Sequence, residues 1–404
     1  MRIAYVINSV EGGGAALPVP AVARVLGDHG ASVQVFALTR RDGRAVAAMQ
    51  AAGLPVQVRE GGETDHLAAL AWLDRRVSAW RADLIWTSLT RATLLGQLVG
   101  LRRRAPVVSW QHNAFLKPAN RLLLRAARGL SALWIADSHS VAVLTAERLG
   151  VPPGRLAVWP LFAADAAAPQ ARPWRPGETL RIGTLGRLHQ VKGHDLLIAA
   201  LVRMREISLS STVPFELRIA GDGDERAALE AAIARAGLHN VRLTGFEADP
   251  RAFLADLHLY LQPSRSEGLC IAAHEAMQAG VPTIVSAVGE LPYSVRDGET
   301  GLVVPPEDPE ALAQAVVWLL SHPERLAGMG RAARDRVLER FSGADFARAG
   351  AEVFRRLPPI SRGRAAGLRR SPGRQQVGRG GGGRGDRLAG AGLESFRRQP
   401  IDPQ

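Results

Sequence analysis

Lysine is almost missing from this chain of 404 residues: 51 residues are basic, yet only Lys117 and Lys192 are lysines. Arginine has taken nearly every ordinary surface position, so a lysine that persists marks a place that calls for a compact point charge. Cysteine is scarcer still. The single thiol, Cys270, excludes an internal disulfide and agrees with a reducing, cytoplasmic setting. No apolar run approaches the roughly 18 residues that cross a bilayer. The first apolar stretch, residues 3–7, runs into glycines and lacks the longer core of a secretory leader.

Charge is unevenly spread. The formal net charge is +13, and residues 358–404 hold ten arginines against Asp386, Glu394 and Asp402, a contribution of +7. The other 357 residues therefore carry +6 (13 − 7), and the basicity says little about the folded part. The same terminal stretch has eleven glycines and one aromatic residue, Phe396. It has too little apolar surface to offset chain entropy and is expected to be a disordered basic tail. It reads as a solvated extension, an out-of-frame end of a GC-rich gene, or a segment for RNA or anionic membrane contact.

What is present is a repeated β–α alternation. Buried-strand signals fall at 3–7, 33–38, 84–87, 107–110 and 133–136, with helical stretches at 64–80, 92–101 and 139–149 between them. Residues 163–178, rich in Ala and Pro, break the pattern. A second series has strands at 180–185, 215–220, 241–244, 257–262, 283–286 and 302–304, and helices at 194–205, 225–236, 250–254, 269–279 and 309–320. Helices at 324–339 and 343–356 close it. This pattern predicts an α/β chain of two doubly wound, Rossmann-like domains, whose ligands bind where strand ends face each other across a cleft. The expected divisions are 1–162, a linker 163–179, 180–341, a closing helix 342–357 that packs back toward the first domain, and the tail 358–404.

The most informative stretch runs from Pro263 to Pro282. Glu267 and Glu275 stand eight positions apart; at about 100° per residue, eight steps leave them roughly 80° apart around a helix. With Glu267 in the loop before the helix, both address one cleft at the helix start. Carboxylates beside free backbone N–H groups suit a ligand with many hydroxyls and a phosphate, such as a nucleotide sugar. Arg187 and Lys192 follow the strand at 180–185, and a cation pair between strand and helix is a place for phosphate.

These residues, together with Gly-Arg-Leu…Lys-Gly (186–193), Ile-Ala-Gly-Asp-Gly (219–223), Val-x-Leu-Thr-Gly-Phe (241–246), Pro-Ser-Arg-Ser-Glu-Gly (263–268) and Asp-Gly-Glu-Thr-Gly-Leu-Val-Val-Pro-Pro (297–306), resemble the retaining glycosyltransferases of family 4, which have the GT-B architecture. The resemblance covers about 340 residues from Met1. It implies that Arg187 and Lys192 grip the donor diphosphate without a metal or other cofactor. It places Glu275 on the ribose hydroxyls and Glu267 on the transferred sugar. The backbone of Gly268, Leu269 and Cys270 would meet sugar or phosphate, with Cys270 a small apolar filler rather than a nucleophile. Gly221 would shape its loop, and Gly245 and Phe246 would lie beside the base. Gly12, Gly13 and Gly14 would form a phosphate or acceptor loop across the cleft, although Pro18 and Pro20 leave its shape open. His112 would border the sugar, with Arg187, Lys192 and Glu267 as its catalytic companions.

Two departures stand out: the Asn-Gly turn common before the linker is absent, and Gly289-Glu290 replaces the commoner Gly-Gly. The expected acceptor is a hydroxyl of a glycan or lipid-linked glycan, in cell-envelope or polysaccharide synthesis. A basic segment with Lys117, Arg121, Arg125 and Arg128 around residues 122–124 is either an anionic-membrane contact, peripheral on the inner face, or an ordinary helix with Leu inward. Nucleic acid is expected only through the tail. The rival readings are another GT-B enzyme, such as a nucleotide-sugar epimerase or a phosphorylase, and a non-catalytic module that uses the tail.

Overall fold

A computed structural model describes residues 1–112, 116–207 and 213–359. The first domain runs β1 (Arg2–Ser9), α1 (Val19–Asp28), β2 (Ser32–Thr39), α2 (Ala45–Ala51), β3 (Val56–Val58), α3 (His66–Trp80) and β4 (Leu84–Ser88). It continues with α4 (Thr90–Arg103), β5 (Val107–Gln111), α5 (Pro118–Ala127), β6 (Leu133–Ala136), α6 (His139–Leu149) and β7 (Leu156–Val158). The second runs β8 (Leu180–Leu185), α7 (His194–Ile207), β9 (Phe215–Ala220), α8 (Arg226–Arg235), β10 (Val241–Gly245), α9 (Pro250–Ala255) and β11 (Leu259–Gln262). Then come α10 (Ile271–Gln278), β12 (Thr283–Ser286), α11 (Leu291–Ser294), β13 (Gly301–Val304), α12 (Pro309–Ser321), α13 (Arg325–Arg340) and α14 (Gly343–Arg355).

All strand pairs are parallel. The sheet orders are β3-β2-β1-β4-β5-β6-β7 and β10-β9-β8-β11-β12-β13. The strands are apolar runs because helices cover both faces. On one face of the first sheet, Tyr5, Trp86, Trp110 and Trp159 pack together; on the other, Phe36 and Leu38 meet Leu73 and Val77. In each sheet the winding reverses once, between β1 and β4 and between β8 and β11. The loops that leave those four strands are where a ligand is expected.

Helix α1 shows why Pro18 and Pro20 are tolerated. Pro18 caps the helix and Pro20 sits in its first turn, where an N–H has no intrahelical partner. The strands β3 and β7 carry no clear signal in the sequence, since three residues are too few to establish a period. The segment 163–179 is irregular but pinned. Asp165 N–H donates to Gln278 Oε1 (2.6 Å), Arg334 Nη2 to Ala166 O (2.6 Å) and Ala171 N–H to Ala279 O (2.7 Å). Beyond α13 the chain recrosses: Ala164 N–H donates to Phe341 O (2.7 Å), and α14 buries Phe346 and Val353 in the first domain's core beside Trp159. Of the expected tail, residues from 360 onward lie outside the described residues.

Candidate active site

The second domain supplies a carboxylate held by its neighbours. Glu267 lies in the loop after β11, and three donors converge on its Oε1: Lys192 Nζ at 2.7 Å, Ser264 Oγ at 2.7 Å and Gln262 Nε2 at 3.2 Å. Gln262 is fixed in turn, since its amide donates to Ser264 Oγ (2.8 Å) and its Oε1 accepts from the Tyr260 hydroxyl (2.7 Å). Burial opposes the charge on Lys192, but the Glu267 carboxylate outweighs it and the ammonium is held above its ordinary pKa. Tyr260, Gln262 and Ser264 were not singled out in the sequence. The available signal was a Tyr and a Gln inside an otherwise aliphatic strand, where buried polar groups require partners.

Arg187 follows β8, as Lys192 does. Its side chain is 59% exposed, with Glu11 of the first domain 3.8 Å away. Gly221 and Gly245 stand beside it: Gly221 N–H donates to Gly245 O (2.6 Å), and Gly186 N–H to Ala220 O (2.9 Å). Phe246 is half exposed, with the Arg44 guanidinium of the first domain 3.6 Å over its ring. Across the cleft, Gly14 faces Ile271 at the start of α10. The Gly12 N–H donates to Asp42 Oδ1 (3.0 Å), and the Gly13 carbonyl accepts from Ala16 and Leu17 (3.1 Å each).

The helix after Glu267 begins later than its sequence pattern suggests. α10 starts at Ile271 because Cys270 adopts a left-handed conformation (φ 63°), uncommon for a residue with a side chain. The turn is braced from within the helix: one ring nitrogen of His274, Nδ1, bonds Cys270 O (2.9 Å), and Nε2 pairs with Ser294 Oγ (2.8 Å). Burial pulls His274 down to about 4, so the ring is neutral and donates through one nitrogen only. The Cys270 thiol is buried and its pKa is pushed up, which suits packing rather than thiolate chemistry. Leu269 is buried beside it. Glu275 lies just over one turn into α10; burial raises its carboxyl to about 7, and Arg251 offsets part of that rise.

The first domain meets this loop through His112. A methyl group on Gly268 would collide with the His112 carbonyl and approach Asp137 Oδ1, so only glycine permits the contact. The His112 ring is held on one side, where Nε2 pairs with Ser88 Oγ (2.5 Å), while on the other Nδ1 faces Asp137 Oδ2 at 3.5 Å. It is therefore the His112 backbone that borders the Glu267–Gly268 loop here. Burial raises the Asp137 carboxyl above its ordinary pKa. Among the described residues no group of three or more His, Cys, Asp or Glu side chains is arranged to hold a metal ion.

The structure thus brings Arg187, Lys192, Glu267, Gly268, Gly221 and Gly245 to one edge of the second sheet. His112 and the Gly12–Gly14 loop stand opposite.

The family described as Glycosyltransferase Family 4 matches residues 12–163, and the family described as Glycosyl transferases group 1 matches residues 179–322. The chain is 26% identical over 278 residues to the D-inositol 3-phosphate glycosyltransferase of Segniliparus rotundus, covering 63% of this chain and 62% of that protein. It is 36% identical over 221 residues to the glycogen synthase of Mycobacterium tuberculosis, covering 53% and 49%. The chain thus matches 49% to 62% of the length of these relatives. Among solved structures, Anabaena HepE in complex with UDP-glucose superposes with a TM-score of 0.75 at 22% identity, over 88% of this chain and all of that one. Sucrose-phosphate synthase from Thermosynechococcus elongatus gives 0.71 at 20%, over 88% and 98%. Matched across both domains, the protein belongs to the family 4 glycosyltransferases and has their GT-B fold.

Proposed function

We propose that this protein is a retaining, metal-independent transferase that moves a sugar from a nucleoside diphosphate sugar to a hydroxyl of a glycan or lipid-linked glycan. The observation that carries this reading is the Lys192–Glu267 pair, set at the winding reversal of the second sheet with Arg187 beside it and the His112 backbone opposite. The bond from the sugar's anomeric carbon to the diphosphate oxygen breaks, and the bond to the acceptor oxygen forms on the same face. The acceptor proton passes to the departing phosphate. Negative charge grows on the leaving oxygen, where Arg187 and Lys192 stabilise the transition state more than the ground state. These cations take the part that a metal plays elsewhere. Glu275 accepts from the ribose hydroxyls and Glu267 from the sugar. The complexes of HepE with UDP and UDP-glucose support a nucleotide of this kind.

A lipid-linked acceptor is favoured by one surface. Residues 84–136 contain eight cations and no acid, and although Arg91 pairs with Asp65 and Arg102 and Arg103 pair with Asp74, Lys117, Arg121, Arg125 and Arg128 lie around α5. Within them, Leu122 and Leu123 on α5 are 69% and 52% exposed, and Leu101 on α4 is 66% exposed. Exposed leucines with arginines near them in the sequence suit an anionic membrane surface, which supports a place on the inner face of the membrane.

Calorimetry with UDP, GDP and ADP in chelator-treated buffer tests the donor site. One nucleotide should bind the wild type, and Lys192→Ala should weaken it while cutting turnover on the order of 10²-fold. If none binds to folded protein, the donor-site assignment fails.

A further inference from the structure

Glu290 stands where the family commonly has glycine, and its side chain is only 4% exposed. One carboxylate oxygen, Oε2, accepts from the backbone N–H of Ser140 at 3.3 Å; the other accepts from Arg340 Nη2 at 3.3 Å. Ser140 is the second residue of α6, in the first domain, while Arg340 ends α13 in the second. A buried carboxylate is thus held between a cation of its own domain and the N-terminal pole of a helix from the other. That pole has an N–H without intrahelical partner and a partial positive charge.

The turn that carries Glu290 is also tied to the donor loop. Glu290 N–H donates to Gly268 O (2.9 Å). Gly289, at φ 58°, lies so close to the Glu267 and Gly268 carbonyls that a side chain there would collide with them. On the other side, Ser138 caps α6 and directly follows Asp137, which faces His112. One short path of contacts therefore joins Lys192 and Glu267 to Gly268, to Glu290, to the start of α6, and to His112.

We propose that Glu290 is a positioning residue for transfer: it seats the pole of α6 on the donor loop and so sets how closely the two halves of the site approach. This rests on the reading of the cleft as the site of transfer. Opening the cleft breaks the bond to Ser140 and leaves the carboxylate with Arg340 alone. A glycine at this position makes no such bond, so in this chain the closed arrangement has a hold of its own before any ligand arrives.

The test needs no nucleotide. Ala48 on α2 and Ala228 on α8 are exposed and belong to different domains, and Arg44 at the head of α2 already touches Phe246 beside α8. Cys270 is buried, so spin labels attach to Ala48→Cys and Ala228→Cys alone. Pulsed electron resonance then reads the interdomain distance in full-length protein. The pair in the otherwise unaltered chain should give one narrow distribution. Glu290→Ala should add a longer-distance population.

Ser140→Pro should do the same, because it deletes the N–H while leaving Glu290 in place, and the first turn of a helix tolerates proline, as Pro20 does in α1. Unchanged circular dichroism would certify folding. A broad distribution in the unaltered background, or a narrow one in either folded variant, would overturn the proposal. Loss of nucleotide binding in calorimetry would instead count against the donor site and leave this measurement standing.

Discussion

Glu275 shows how far one residue's environment sets its chemistry. Its carboxyl is raised to about 7 by burial, so it becomes a full hydrogen-bond acceptor only as pH passes that value. If it receives the ribose hydroxyls, nucleotide affinity should rise roughly tenfold between pH 6 and pH 8, as the ionised fraction climbs. Glu275→Gln should flatten that dependence in calorimetry, and a wild type with no pH dependence would remove Glu275 from the ribose.

The folded carboxyl keeps its proton up to about 7, whereas an unfolded one releases it near the ordinary 4.5. The folded state binds the extra proton between these values, so this group's contribution to stability falls as pH rises across the window. Glu275→Gln should therefore raise Tm at pH 8. At this scale the spacing of Glu267 and Glu275 was legible in the sequence. The Tyr260–Gln262–Ser264 chain behind Glu267 was not, because strand residues that point at a neighbouring loop look like core until the loop is placed.

The elements were legible where they were long. Periodic helices such as α3, α6 and α12 and the apolar strands were placed within a few residues of their ends. α10 began two residues late because the left-handed turn at Cys270 is held by His274, four residues on and edge-to-face with Phe341. Helix α14 illustrates a tertiary decision about an element. Gly350 packs so close to Trp159 and Val25 that a side chain there would collide with both, and Phe346 lies 5.3 Å from the Trp159 ring. Phe346→Ala should cost about 3–5 kcal/mol, since the vacated space borders a rigid stack of indoles. Chemical denaturation would read this as a lowered midpoint. A change under about 1 kcal/mol would show that α14 rests on the first domain without stabilising it.

At the scale of the whole molecule, the charge is concentrated at one end of the chain. The last 47 residues, 358–404, carry +7 of the +13, but none of the candidate site residues lies there. Deleting residues 361–404 should leave nucleotide affinity unchanged within about twofold; loss of binding would favour the tail-dependent, non-catalytic reading. The shortened protein also isolates the basic face of α4 and α5. It should sediment with phosphatidylglycerol vesicles, less so at high salt, and not with neutral ones. Leu122→Asp with Leu123→Asp should abolish the binding. Equal sedimentation of that variant would place the membrane contact elsewhere.

The sequence alone determined the two-domain α/β plan, because uninterrupted aliphatic runs and helical periods repeat twice around an Ala- and Pro-rich break. It also marked Lys192 as a candidate phosphate cation, because lysine is so scarce in this chain. The tertiary structure decided what those residues are paired with. Lys192 meets Glu267 across 75 positions and Glu290 meets Ser140 across 150, contacts that exist only once two sheets have wound and two domains have met. Local patterning reports burial and period over a few turns; partners so distant in the chain are chosen by the packing of the loops between them.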